Sequence, residues 1–149
     1  QHARPTDAGA AAFGEMRGLK LLVLSHCTLT GKAADFLANH PSLESFADDG
    51  ALGGEGMAQI ASCKKLRSVR LVHGAANDSS AAALAGHNSL ERLELIPSNT
   101  YGVTDASLAA IAGIPHLNDL VITHSVLTYE GGLKRLKALA KLETLSLTE

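Results

Sequence analysis

The sequence predicts an α/β repeat protein: a right-handed solenoid of strand–helix units, with a parallel sheet on the concave face and helices on the convex face. Two patterns and the composition support this prediction. A leucine pattern recurs at a nearly constant spacing along the 149 residues, and the residues between its copies follow a helical period. Hydrophobic residues make up 46% of the chain but aromatic residues only 3%, which favours many similar small layers over one core built around large rings.

The strands are predicted from six copies of the pattern L-x-x-L-x-L. The copies are separated by 24, 23, 24, 27 and 25 residues, and begin at Leu19, Leu43, Leu66, Leu90, Leu117 and Leu142. Alternating hydrophobic residues over the last three positions are typical of a strand with one buried face. The second copy departs from the pattern, because Asp48 stands where the other copies have an aliphatic residue. The 27-residue spacing marks an insertion at residues 96–102.

The helices are predicted from the residues that precede each strand. Mostly hydrophobic residues recur three, six and nine positions before each leucine, a step that places them on one side of a helix facing the strands. Six positions before, these residues are Phe13, Leu37, Ile60, Leu84, Ile111 and Leu136. Ten positions before, every residue is small: Gly9, Ala33, Gly56, Ser80, Ser107 and Gly132. Each helix is therefore expected to approach its neighbours closely at this position.

These residues resemble the repeats of leucine-rich-repeat proteins. Residues 6–13 (TDAGAAAF) and 103–112 (VTDASLAAIA) are similar to a bacterial subclass with a TDAGL unit, and residues 56–66 (GMAQIASCKKL) are similar to GALA-type repeats. The resemblance covers residues 6–147 and implies a leucine-rich-repeat solenoid. It implies little about function, because the matching residues are core residues.

One position departs from the family pattern. Many family members carry Asn or Cys in the turn after the strand, where the side chain satisfies backbone groups. This chain has Cys27, Ala51, Gly74, Ser98 and Ser125 at that position. We therefore expect backbone and water to hold the turns, and the turn at residues 48–51 to be the loosest.

Composition and charge argue against several classes of function. The net charge is −2 and no block of Lys or Arg occurs, so neither nucleic acid nor a membrane is expected as a partner. No hydrophobic stretch approaches the ~20 residues that a membrane-spanning helix needs. Cys27 and Cys63 are expected to be buried small hydrophobic residues rather than a disulfide or a metal pair. We expect no cofactor and no enzyme activity.

The predicted binding surface is the sheet face that points away from the helices. Its centre is charged, with Arg70, Arg92, Glu94 and Asp119 at outward positions. Together with the scaffold, this pattern predicts a non-catalytic module that binds a protein or peptide through its sheet face and rim loops. The alternative is a solvated face with weak ion pairs. Tyr101 lies in the insertion, where a tyrosine on a rim loop is a candidate binding residue.

Three histidines each follow a strand by two residues and are expected to line one rim of the sheet. His26, His73 and His124 form this column, and Asp49 lies close to it in sequence register. A polar, pH-sensitive binding rim is one interpretation. A metal-dependent or hydrolytic enzyme built on His26, Asp49 and His73 is another, although alternate strands are ~10 Å apart. A structural spacer within a larger protein is a third.

The chain is predicted to be one leucine-rich-repeat domain over residues 1–149, as part of a longer chain. It begins at Gln1 rather than Met, which favours an exported protein if a leader was removed, but the compartment stays open. Only Thr148 and Glu149 follow the last strand pattern, with no capping unit. Since exposed strand edges recruit other strands, either a missing cap or an edge-to-edge homodimer through the last strand is expected.

Overall fold

The computed structural model describes residues 6–27, 29–99 and 102–148. Within these ranges, six strands form one all-parallel sheet whose spatial order is the order along the chain. The strands are β1 (Leu21–Leu24), β2 (Ser45–Asp48), β3 (Ser68–Val72), β4 (Arg92–Ile96), β5 (Asp119–Thr123) and β6 (Thr144–Thr148). The predicted α/β class and the parallel sheet are confirmed. Among the described residues no helix is long and apolar enough to cross a membrane.

Helical segments precede and connect the strands. The α-helices are α1 (Asp7–Glu15), α2 (Gly53–Ile60), α3 (Asp78–Ala83) and α4 (Asp105–Ile111). Two connections are 3₁₀ helices instead, at Gly31–Leu37 and Leu133–Ala138, and a short 3₁₀ turn at His73–Ala75 follows β3. All of these segments lie at the positions where the sequence predicts helices, except the short turn.

Strand register follows the leucine pattern without slippage. Leu22 pairs with Phe46, and each later strand continues this row through Val69, Leu93, Leu120 and Leu145. Because the register is kept, every second side chain of each strand lies on the same face of the sheet, the one that packs against the helical segments. From β1 to β5 these side chains are buried, and they form one cluster with the buried helix residues. The small residues predicted at helix contacts are buried too, apart from Gly9.

Asp48 occupies a core position in β2, where its neighbours in the row are Leu24 and Leu71. Its carboxylate is buried and accepts hydrogen bonds from the N–H groups of Ala51 (2.9 Å) and Leu52 (3.1 Å). Burial raises the pKa of Asp48, although these backbone hydrogen bonds oppose the rise. A buried carboxylate therefore holds the turn after β2, which corrects the expectation that backbone and water alone hold the turns.

A second set of carboxylates joins successive helical segments. Asp7 in α1 accepts hydrogen bonds from the N–H (2.8 Å) and hydroxyl (2.6 Å) of Thr30, which precedes the next helical segment. Asp105 in α4 accepts the same pair from Thr128, at 2.9 Å and 2.6 Å. Asp78 in α3 accepts them from Thr104, at 2.9 Å and 2.7 Å. We call this arrangement the Asp–Thr link.

The threonines of two links, Thr30 and Thr104, also cap their own helical segments. Thr104 Oγ1 accepts a hydrogen bond from the N–H of Ala106 (3.2 Å), and Thr30 Oγ1 accepts one from Lys32 (3.3 Å). A side-chain oxygen at this place satisfies one of the free N–H groups at a helix start. In the dipeptide Thr104–Asp105, Thr104 therefore caps α4, and Asp105 binds Thr128 before the next helical segment.

Histidine and cysteine share one position near the helix ends. His40 Nε2 lies 3.1 Å from the carbonyl oxygen of Met16, and its Nδ1 accepts a hydrogen bond from the Ser42 N–H at 3.4 Å. Cys63 Sγ donates to the carbonyl of Leu37 at 3.2 Å. Cys63 is buried as predicted. Cys27 is only partly buried, because it lies in the loop beyond β1 rather than in the core.

Candidate functional site

The candidate site lies on the sheet face opposite the core, which we call the open face. It consists of two rows of side chains, each with one residue per strand. The first row is Leu21, Ser45, Ser68, Arg92, Asp119 and Thr144; the second is Val23, Ala47, Arg70, Glu94, Val121 and Ser146. Alternation along each strand turns these residues away from the buried rows.

Four charged residues form one connected network at the centre of the open face. Arg70 Nε donates to Glu94 Oε2 at 2.9 Å, across the β3–β4 pair. Arg92 donates to Glu94 Oε1 from Nε (2.9 Å) and Nη2 (2.7 Å). Arg92 Nη1 also lies 3.1 Å from Asp119 Oδ2, across the β4–β5 pair. The structure therefore brings together the four charged residues that the sequence singled out.

The two arginines stand above the two carboxylates. The side chains of Arg70 and Arg92 are 53% and 51% exposed, whereas those of Glu94 and Asp119 are 17% and 20% exposed. The hydrogen bonds to Glu94, and then the charges of Asp119 and Glu94, raise the pKa of Arg92 above its ordinary value. An approaching molecule consequently meets guanidinium groups first, although the network has equal numbers of positive and negative charges.

The β1 end of the open face is hydrophobic. Leu21 and Val23 are 57% and 58% exposed, as their positions in the leucine pattern predict. Their cross-strand neighbours Ser45 and Ala47 are small and partly buried. The open face therefore changes from apolar at β1 to charged at β3–β5.

The backbone conformation of the turns after the strands accounts for the recurring histidines of the rim. His26, His73 and His124 all have positive φ angles (52°, 52° and 46°), and Gly50 at the same position has a φ of 112°. Among residues other than glycine, histidine is one of the few types enriched in the left-handed region. The fourth position of this column is Pro97, whose ring fixes a negative φ. The recurrence of histidine after the strands is thus explained by the turn before any ligand is invoked.

Asp49 interacts with the first of these histidines. Its carboxylate accepts hydrogen bonds from the Ser25 hydroxyl (2.6 Å) and the His26 N–H (3.0 Å), and His26 Nδ1 lies 3.6 Å from Oδ2. Burial acts to raise the pKa of Asp49, but these hydrogen bonds and the charges of His26 and His73 lower it overall. Among the described residues, no three His, Cys, Asp or Glu side chains are arranged to hold a metal ion.

Two of the three other residues predicted at the rim lie within the described part of the chain. His73 lines a shallow groove of about 290 Å³ with Asn77 and part of the insertion, including Pro97 and Ser98. His124 is exposed on the next rim turn along the sheet, and its Nδ1 lies 3.0 Å from the Thr123 hydroxyl. Tyr101 lies outside the described residues, so its predicted role in binding stays a prediction.

A further charged column escaped the sequence interpretation. Lys20 and Glu44 form an ion pair at 3.1 Å, and Arg67 and Glu91 form another at 2.8 Å. All four residues directly follow the first leucine of a repeat, so their alternating charges are visible in the sequence once the copies are aligned. These pairs lie at the strand starts, off the open face, and they provide controls for experiments on the central network.

The fold and site define an α/β protein with one parallel sheet, whose open face carries a connected charge network beside an apolar end. A comparison of the chain with family models and with curated proteins finds no match. The functional argument therefore depends on the chemistry of the open face and its rims.

Proposed function

We propose that this chain is a right-handed leucine-rich-repeat solenoid of the TDAGL/GALA-like class, which binds a protein or peptide and is not an enzyme. The repeated leucine pattern, its unbroken strand register and the consecutive order of the parallel strands support the class. Right-handed crossovers are the rule for parallel strands. In such a solenoid the open face is the concave surface.

The observation that carries the binding function is the network of Arg70, Glu94, Arg92 and Asp119. It extends over three adjacent strands, and its arginines are half exposed. Exposed ion pairs contribute only about 0–1 kcal/mol to stability, so folding gives little reason to gather these groups on one face. Recognition of a charged partner gives a direct reason.

The rim loops extend this surface on one side. His73, His124 and Tyr101 belong to loops that follow β3, β5 and β4, and loops on a rigid scaffold commonly carry binding residues. Six strands at about 4.8 Å spacing give a face roughly 24 Å wide. A surface of that width fits an extended peptide or a small protein surface.

The test is a selection of binders from a random displayed peptide library on the immobilised chain. Selected peptides are then mapped on the chain by amide hydrogen exchange. We expect new protection in β3, β4 and β5 and in the loops after them. A footprint confined to the helical segments would contradict the proposed surface.

A matched pair of variants sharpens this test. Glu94 pairs with Arg70 on the open face, and Glu91 pairs with Arg67 just before the same strand. We expect Glu94→Gln to change the affinity of the selected peptides and Glu91→Gln to leave it unchanged. Equal effects of the two variants would count against the open face.

A further inference from the structure

The size and exposure of the side chains on the open face change from strand to strand. At β1 the exposed Leu21 and Val23 form an apolar end. Small, partly buried side chains follow on β2 and at the start of β3: Ser45, Ala47 and Ser68. Arg70 and Arg92 then rise from β3 and β4. A low floor therefore separates an apolar end from a cationic ridge.

The two arginines differ in how many of their guanidinium nitrogens contact a carboxylate. Arg92 makes contacts from all three guanidinium nitrogens, to Glu94 and Asp119. Arg70 donates only from Nε, to Glu94, and its two terminal nitrogens donate to no described residue. A guanidinium with both terminal nitrogens free can bind a carboxylate in the bidentate geometry that this group favours. Arg70 is also the arginine nearer to the floor and to the apolar end.

We propose that the open face takes an extended protein segment with an apolar side chain and an Asp or Glu three residues apart. The apolar side chain packs on Leu21 and Val23, and the carboxylate binds Arg70. This inference rests on the proposed function and names the chemistry of the partner. The partner is acidic because the exposed part of the network is guanidinium, while Glu94 and Asp119 lie beneath it.

The spacing follows from strand geometry. Val23 and Arg70 belong to one row and are two strands apart, which is about 9.6 Å in a sheet. A segment in the extended polyproline II conformation rises about 3.1 Å per residue with about three residues per turn, so side chains three residues apart lie on the same side and about 9.3 Å apart. A segment that crosses the strands over the small side chains of β2 can therefore reach both anchors.

The experiment repeats the peptide selection on two arginine variants. Arg70→Gln removes the guanidinium whose terminal nitrogens donate to no described residue. Arg67→Gln is its control, because Arg67 is similarly exposed and likewise pairs with one glutamate. Peptides from the wild-type selection are expected to carry the apolar–acidic pair at a spacing of three. Arg70→Gln should weaken these peptides about tenfold, as expected for loss of a charge-assisted hydrogen bond. Arg67→Gln should leave their affinity unchanged.

A second pair tests the apolar anchor. Val23→Ser should remove the preference for an apolar residue and keep the preference for an acid. Its control is Phe36→Ser, since Phe36 is also an exposed hydrophobic residue but lies in the Gly31–Leu37 helical segment. Circular dichroism establishes that each variant remains folded.

The outcomes separate the inference from the proposed function. Peptides that protect the open face but lack the acidic residue, or that respond equally to Arg70→Gln and Arg67→Gln, overturn the inference and leave the proposed function standing. A selection that yields no peptide protecting the open face overturns both. Loss of the acid preference with Arg70→Gln alone, and of the apolar preference with Val23→Ser alone, supports the inference.

Discussion

The joints between successive helical segments are of two kinds. An Asp–Thr link holds α1 to the Gly31–Leu37 segment, α3 to α4, and α4 to the Leu133–Ala138 segment. The two joints in between, on either side of α2, have glycine where the link has aspartate: Gly31 and Gly54. The repeated core rows continue through both kinds of joint, so the difference lies in the polar layer at the helix starts.

Close approach takes the place of the link at one of these joints. A Cβ atom added to Gly54 would lie 2.9 Å from Ser79 Cβ and would overlap the Ser79 hydroxyl. An aspartate at residue 54 would therefore need the neighbouring helix to move. The comparison teaches that similar hydrophobic layers can be joined either by a shared carboxylate or by contact between small residues. The two kinds of joint should respond differently to mutation and pH.

Substitutions in the buried rows should lower stability equally beside the unlinked and the linked joints. Leu71→Ala next to the unlinked joints and Leu95→Ala next to the linked ones should each lower the free energy of unfolding by about 2–5 kcal/mol, because both side chains are fully buried. Arg92→Ala on the open face should cost about 0–1 kcal/mol. Urea denaturation of the three variants measures these values. A large difference between the two leucine variants would show that the core, too, differs between the regions.

Removing a linking carboxylate should have the next largest effect. Asp78 accepts hydrogen bonds from the backbone N–H and the hydroxyl of both Thr104 and Ser107. Asp78→Ala leaves these donors without their acceptor, and we expect a loss of about 2–3 kcal/mol. Asp35→Ala is the control, since Asp35 is exposed in the Gly31–Leu37 segment and is not the aspartate of any link, and it should cost under about 0.5 kcal/mol. Equal unfolding midpoints for the two variants would show that the link contributes no stability.

A pair of serines isolates one hydrogen bond of the link. Ser80 and Ser107 occupy the same position in successive helices and are both buried. Ser107 donates to Asp78, whereas the Ser80 hydroxyl has no hydrogen-bond partner within the described residues, since Gly54 stands where its aspartate would be. Ser107→Ala should cost about 1–2 kcal/mol. Ser80→Ala should be neutral or stabilising, and a comparable loss there would contradict this account.

The sequence predicts the hydrophobic layers well because their period is a direct consequence of helix and strand geometry. Leu22, Leu93 and Ile111 are buried as the pattern requires. The central charges were also predictable, since Arg70 and Glu94 occupy outward positions in a register fixed by the buried row. These features depend only on alternation and spacing.

The polar joints were not predicted because they depend on distances between units. Thr6–Asp7 and Thr104–Asp105 are visible as repeated dipeptides, but that Asp105 binds Thr128 in the next segment follows only from the packed structure. The backbone reason for the recurring histidines was missed for a related reason. The positive φ of His73 is a property of the turn, and a residue pattern alone does not distinguish it from a ligand column.

The smallest expected effect is on the pH dependence of stability, to which Asp78 and Asp48 should contribute with opposite signs. Burial alone would raise the pKa of Asp78, but the hydrogen bonds from Ser107 and Thr104 lower it. The stability that Asp78 contributes is therefore present above its unfolded value of about 3.8 and is lost as the pH falls through its folded value. Burial raises the pKa of Asp48 above 3.8. The folded state then binds the additional proton, so the contribution of Asp48 is lost as the pH rises from 3.8 through its folded value.

Thermal or urea unfolding from pH 3 to 7 tests this difference by comparing each asparagine variant with the wild type. Relative to the wild type, Asp48→Asn should gain stability as the pH rises, because the buried charge is absent. Asp78→Asn should lose relative stability over the same range, because the wild-type carboxylate becomes charged and its hydrogen bonds strengthen. Asn retains one acceptor oxygen but changes the hydrogen bonding. That change shifts the free energy of unfolding by the same amount at every pH, so it does not affect how the difference from the wild type varies with pH. Slopes of the same sign for the two variants would contradict the assignment of one buried turn carboxylate and one linking carboxylate.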